Sequence, residues 1–300
     1  MTKNTIIIGA GPAGLTCSIY LARSGVSSPL VLAGDSPGGQ LMNTDSIENF
    51  PGFSEIAGPD LMMKMIEQAK ALDVEIVFET VKSIGKINDG ILKITCNSGR
   101  EFLSRTIVIA TGASHKHLYV PGEKEFTNKG VSWCATCDGP MYKGKNVSVI
   151  GGGNTALMES QFLANFAEKV YLIHRRDSFR ADQVMQARVL SNYKIEVIWN
   201  TVVTSINGDK KVSSITLNNK ENLSVDGVFI AIGTKPASDF VRNIVACDEE
   251  GYIITEDTMT SCPGIFAAGD VVKGSLKQAV YAAGQGALSS NMVEKFLGVR

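Results

Sequence analysis

Residues 5–14 read Thr-Ile-Ile-Ile-Gly-Ala-Gly-Pro-Ala-Gly, and residues 147–156 read Val-Ser-Val-Ile-Gly-Gly-Gly-Asn-Thr-Ala. In each stretch a β-branched run stops at a glycine cluster and helix-forming residues follow. Each therefore predicts a strand, a tight turn and a helix. Glycines at such a turn let a ligand approach the backbone, and the N–H groups and positive end of the following helix suit a pyrophosphate. One such motif is weak evidence, but two in the same strand–turn–helix context imply two bound nucleotides.

Working outward, the same order of elements follows both motifs. After the first come a helix to Gly25, a second parallel strand at 29–32, and an apolar helical face from Pro59 through Leu61, Met62, Met65, Ile66, Ala69 and Leu72. Alternating runs at 75–78, 83–87 and 91–95, punctuated by Asn88-Asp89-Gly90 and Asn97-Ser98-Gly99, predict a small antiparallel meander. A strand at 106–109 then leads into Ala110-Thr111-Gly112. After the second motif come a helix, a strand at 170–173, a meander over 195–217, a strand at 228–230 and Ala231-Ile232-Gly233. The tail carries Gly264-Ile265-Phe266-Ala267-Ala268-Gly269-Asp270 and a small-residue helix over about 278–297, without a third glycine motif. The tail is expected to return and complete the first domain. The predicted fold is therefore α/β: two dinucleotide-binding, Rossmann-like domains with parallel sheets and small antiparallel meanders, the second inserted into the first.

Composition narrows the function. With 29 Lys+Arg against 30 Asp+Glu the chain has net charge −1, so it has no basic excess for nucleic acid or an anionic membrane. The N-terminal strand starts too early for a signal peptide, and no apolar run reaches the roughly 18 residues of a membrane helix. Of the six cysteines, at 17, 96, 134, 137, 247 and 262, only one pair is close, which predicts a reducing cytoplasm rather than a secreted disulfide framework.

Three features carry chemistry. Cys134-Ala135-Thr136-Cys137 followed by Asp138 suits dithiol–disulfide exchange, with a carboxylate beside the sulfurs to move a proton. The same C-x-x-C is also compatible with half of a zinc site completed by His115 and His117. The end of the strand at 170–173 reads His174-Arg175-Arg176, with Arg180 nearby, a cationic cluster that suits the 2′-phosphate of NADPH rather than the free hydroxyl of NADH. Cys17, Cys96, Cys247 and Cys262 are expected to be small core residues.

Taken in order, Gly9 to Gly14, Gly38-Gly39-Gln40-Leu41, Glu48-Asn49-Phe50-Pro51-Gly52, Cys134 to Asp138, His174 to Ala181, Gly269-Asp270 and Gln278-Ala279 resemble the bacterial low-molecular-weight thioredoxin reductases from the first strand to the last helix. The resemblance implies FAD in a discontinuous domain of residues 1–114 and 243–300. It implies NADPH in an inserted domain of residues 115–242 that also carries the cysteine pair. FAD would lie against Gly9, Gly11, Pro12, Ala13, Gly14, Gly39, Gln40, Leu41, Asn49, Ala110, Gly112, Gly269, Asp270, Lys277, Gln278 and Ala279. NADPH would lie against Gly151, Gly153, Asn154, Thr155, Ala156, His174, Arg175, Arg176, Arg180, Ile232 and Gly233. No metal is implied.

By the same resemblance, hydride passes from NADPH to flavin and two electrons pass on to the Cys134–Cys137 disulfide. Cys137 would face the flavin, Cys134 would attack thioredoxin or a thioredoxin-like protein, and Asp138 would serve the departing sulfur. A homodimer and hinges near Ser114 and Asn243 are also implied. Two departures stand out: Lys277 occupies a position where many relatives have Arg, and after Leu32 the acidic ribose partner is missing or displaced to Asp35. Ferredoxin or flavodoxin reductases of the same fold lack the cysteine pair, and the flavoprotein of alkyl hydroperoxide reductase carries an extra N-terminal redox domain. A nucleotide-holding redox sensor is the rival from a different class.

Overall fold

The computed structural model describes residues 2–25, 29–87 and 90–299. The expected turn residues Asn88 and Asp89 lie outside the described residues. The chain divides into two compact units, one of Met1–Ser114 with Lys235–Arg300 and one of His115–Thr234. Among the described residues the α-helices are α1 (Pro12–Arg23), α2 (Gly58–Lys70), α3 (Ala135–Asp138), α4 (Asn154–Leu163), α5 (Gln183–Leu190) and α6 (Ala279–Leu297).

In the first unit the strands run in the order 75–77, 30–32, 2–8 and 101–109, with Ile265–Ala267 of the tail also pairing with Glu101–Ile109. All of these contacts are parallel, and the strands at 2–8 and 101–109 end in unbroken apolar runs buried on both faces. Glu101–Ile109 serves two purposes. Its first half pairs antiparallel with Leu92–Cys96, and its second half joins the parallel core.

In the inserted unit the parallel order is 195–198, 169–173, 146–151, 227–231 and 131–132. A separate three-stranded antiparallel sheet holds Val203–Gly208, Val212–Leu217 and Asn222–Ser224.

Both meander assignments need the same correction. Glu75–Val77 and Ile195–Ile198 were expected in antiparallel meanders, yet each lies parallel to the strand before it. The reason is the preceding helix: α2 and α5 supply the crossover that a parallel connection requires, and a strand of three or four residues carries no mark of its direction.

The second boundary also moves, from 243 to Lys235. Val241 and Val245 are buried in the core of the first unit with Ile84 and Ile253, so the neighbourhood of Asn243 is anchored there rather than being a connecting hinge. The two crossings of the chain instead form a small two-stranded sheet of Ala113–His115 with Thr234–Pro236.

Candidate functional site

In the first unit, Gly9 sits at φ +111 and a side chain there would strike the Ala110 carbonyl. A side chain at Gly14 would strike the carbonyl of Gly9. Gly11, the N-cap of α1, differs because a side chain there would meet nothing, so open space lies in front of the helix. The first turn of α1 has neither a capping side chain nor an acidic residue, so its N–H donors are left for an incoming anion.

Distant segments converge on this helix start. The Gly38 N–H donates to the Ala10 carbonyl at 2.9 Å, which lays the short helix Gly39–Asn43, with Gln40 and Leu41, beside the loop. Gly269 leaves only 3.0 Å between a built side chain and the Ala13 methyl, and its N–H donates to Gln285 Oε1 at 2.8 Å. Asn49 Nδ2 donates to Gln278 Oε1 at 3.1 Å, joining residues far apart in sequence at the start of α6. Burial pushes the Asp270 carboxyl up from its usual range, against the opposing pull of Ser275 and Lys277.

Lys277 has φ +56, and its ammonium lies over the Tyr252 ring at 5.1 Å from the centroid, so the cation is engaged by an aromatic face. Asp35 accepts a hydrogen bond from Thr80 Oγ1 at 2.9 Å, one step beyond the Ala33-Gly34 turn. Gly112, at φ +71, accepts from the Ala237 N–H at 3.0 Å.

The inserted unit repeats the open helix start. Gly153 is the N-cap of α4, a side chain there would meet nothing, and the first turn again has no side-chain cap or acidic residue. Ala156 is fully buried, with its methyl where a Gly151 side chain would fall, while Thr155 is exposed. Asn154 and Asp182 bond reciprocally, Nδ2 to Oδ2 and N–H to Oδ1, each at 2.9 Å. Arg175, Arg176 and Arg180 are exposed, and none is in a salt bridge among the described residues. His174 is turned inward, 6% exposed, with Nε2 at 3.0 Å from the Ser178 carbonyl. Burial lowers its pKa despite two carbonyl contacts that favour the charged ring. Ile232 is partly buried, and Gly233, at φ +101, accepts from the Lys116 N–H at 3.0 Å.

Cys134 and Cys137 are joined in a disulfide with Cα atoms 5.3 Å apart. Cys134 caps α3, and its sulfur accepts from the Cys137 N–H at 3.1 Å, while its own N–H donates to Ser132 Oγ at 3.0 Å. Asp138 closes the same turn, its N–H donating to the Cys134 carbonyl at 3.1 Å. Burial first, then the carboxylates of Asp138 and Asp226, push Tyr142 up to about 12, so it remains a neutral phenol beside the turn. The zinc alternative meets a different geometry. The two sulfurs are bonded to each other, His117 Nδ1 lies 2.9 Å from Glu123 Oε1, and His115 packs against Trp133 at 5.9 Å between ring centroids.

Three contributors were missed from the sequence. Ser132 orients the disulfide turn, Gln285 holds Gly269, and Gly286 lets α6 reach the Ala13 carbonyl. The last had a signal: a glycine inside a long helix costs about 1 kcal/mol and usually has a packing reason.

The residues fit the two dinucleotides. Gly9, Gly14 and Gly151 are required by close backbone contacts and Gly152 by the His174 ring, whereas at the two helix caps, Gly11 and Gly153, a side chain would instead fill the open cradle. The donor sets match as well, with the side-chain amides of Asn49 and Gln278 beside the first cradle and free guanidinium groups beside the second.

Residues 3–286 match the family model described as pyridine nucleotide-disulphide oxidoreductase. The chain is 42% identical to a thioredoxin reductase of Bacillus subtilis, covering 98% of this chain and 94% of that protein. It is 44% identical to one from Rickettsia felis, covering 99% of each. The solved thioredoxin reductase of Streptococcus pyogenes superposes with a TM-score of 0.93 at 38% identity, over 100% of this chain and 99% of that one. A match over nearly the whole length, glycine loops and cysteine pair included, makes this chain a member of the pyridine nucleotide-disulphide oxidoreductase family.

Proposed function

We propose that the protein is an NADPH-dependent thioredoxin-disulfide reductase, with FAD in the discontinuous unit and NADPH in the inserted one. The observation that carries this reading is the closed Cys134–Cys137 disulfide with Asp138 in the same turn, in a chain with two open glycine cradles. The bound flavin would supply the two-electron relay between nicotinamide and disulfide.

The chain's own residues account for the exchange. Once two electrons have opened the Cys134–Cys137 bond, the Cys134 thiolate attacks the acceptor disulfide, forming a mixed disulfide and expelling one acceptor sulfur. Cys137 then attacks Cys134, which re-forms the internal bond and releases the second acceptor sulfur. Asp138 is the group positioned in the turn to give a proton to a departing thiolate and to take one from an attacking thiol. Arg175, Arg176 and Arg180 are the residues to hold a 2′-phosphate, and Gly11 and Gly153 admit the pyrophosphates.

Among the described residues no helix is long and apolar enough to cross a membrane. The reading carries with it a cytoplasmic setting, a thioredoxin-like protein partner and a homodimer, the last testable by sedimentation.

The deciding experiment follows NADPH oxidation with oxidised thioredoxin, beside NADH and beside Cys137→Ser. Rapid turnover with NADPH alone, abolished in the variant, is the expected result. Flavin bleaching by NADPH without turnover of thioredoxin would move the function to another acceptor or to redox sensing.

A further inference from the structure

The exposed arginines and the glycine loop of the inserted unit are separate stretches of chain, yet a nucleotide carrying a 2′-phosphate must be met by both at a fixed separation. His174 lies between them. Its imidazole fills the space above Gly152 so completely that a side chain built there would strike three of the five ring atoms. Nε2 lies 3.0 Å from the carbonyl of Ser178, within the arginine loop. Phe179 and Trp199 pack against the ring, with centroids 5.5 and 6.0 Å away. Two further ties connect the same segments: the Arg180 N–H donates to the Gly152 carbonyl at 2.9 Å, and Asn154 pairs reciprocally with Asp182.

We propose that His174 is a specificity-determining positioning residue. Wedged over Gly152 and bonded to Ser178, it locks the pyrophosphate loop to the loop of Arg175, Arg176 and Arg180, and so sets the distance at which a 2′-phosphate is recognised. Gly152 is the matching half of the device. Gly152 stands at the variable position of the loop, where the first copy has Ala10, and the space its side chain would need is taken by the protein's own imidazole. The inference rests on the NADPH reading above. It adds that an inward-facing residue, rather than the guanidinium groups alone, sets the preference for the phosphorylated ribose.

The full-length holoenzyme is the material for the test, with two readouts. Calorimetric binding of 2′,5′-ADP is compared with that of 5′-AMP, and KM is measured for NADPH and NADH. His174→Ala and Gly152→Ala are each expected to weaken 2′,5′-ADP binding and raise the NADPH KM by about 10-fold or more, with 5′-AMP binding and the NADH KM changed less than about 3-fold. The double variant is expected to lose less than the product of the two single losses, because the added methyl enters the space the ring has left. His174→Phe, which keeps the wedge but not the hydrogen bond, is expected to fall between wild type and His174→Ala. Equal losses for both nucleotides would overturn the proposal by showing a purely structural role, as would an unchanged preference in both single variants. A wild-type protein with no preference for NADPH would instead defeat the cofactor reading itself.

Discussion

The two glycine loops share one plan but are braced in different ways. The first is enclosed by segments from along the whole chain: the 38–43 loop, the Gly269 turn and α6, whose Gly286 reaches the Ala13 carbonyl. The second is braced locally, by His174, Arg180 and the Asn154–Asp182 pair, and leaves three arginines in solvent. An enclosure built from distant segments suits a cofactor that stays bound. A locally braced loop with free cations suits a nucleotide that arrives and leaves in each cycle. On the proposed function, the duplicated motif would provide for a dinucleotide in each unit, and the surrounding structure would set how tightly it is kept.

The most severe way to break the comparison is Gly14→Val, because the new side chain meets the Gly9 backbone rather than a movable group. Overpacking against backbone is expected to cost about 3 kcal/mol or more and to give colourless, destabilised protein, read by flavin absorbance and urea unfolding. Matched substitutions at the helix caps should separate the two copies. Neither Gly11→Ala nor Gly153→Ala meets another protein atom, so both should fold normally. Gly11→Ala should lose flavin on dialysis, while Gly153→Ala stays yellow and shows an NADPH KM raised about 10-fold. Flavin loss from both variants would contradict the division of roles.

In the disulfide turn, Asp138→Asn should slow thioredoxin reduction by about 10- to 100-fold while leaving flavin bleaching by NADPH intact. Stopped-flow measurement of the two half-reactions distinguishes these steps.

The smallest expected effect is on pH dependence, and it has opposite sign in the two units. Asp270 is raised by burial, so its contribution favours the fold most at acid pH and is lost as pH rises through its folded value. His174 is lowered, first by burial, so its contribution is present above the ordinary histidine range and lost as pH falls through its depressed value. Asp270→Asn should therefore raise the melting temperature of flavin-free protein at neutral pH. His174→Phe should flatten the loss of stability on acidification below about pH 6.5. Melting curves across this range would show whether the two residues respond in opposite directions.

Much of this architecture was legible in the sequence because glycine loops, β-branched strands and helix starts are local signals. Residues 5–14 and 147–156 announced both turns, and the tail's lack of a third motif implied its return to the first unit. Strand direction was not legible: Glu75–Val77 and Ile195–Ile198 are too short to show whether their partners run parallel, and only the crossovers through α2 and α5 decide it. The boundary was misplaced for a related reason, since nothing in the composition near Asn243 reveals that Val241 is buried against the first sheet.

At the candidate sites the sequence determined chemical types: a dithiol pair with a neighbouring carboxylate, two phosphate cradles, and a cluster of cations beside one of them. Tertiary structure alone decided which of those residues face a ligand space and which hold the others in place. His174 and Arg175 are neighbours in the chain, yet one fills the space above Gly152 and the other stands in solvent. The same holds for Gln278, which reaches Asn49, and for Gly286, which reaches Ala13. Spacing along a chain specifies what a residue can do, whereas close packing between distant segments selects which of those possibilities is used.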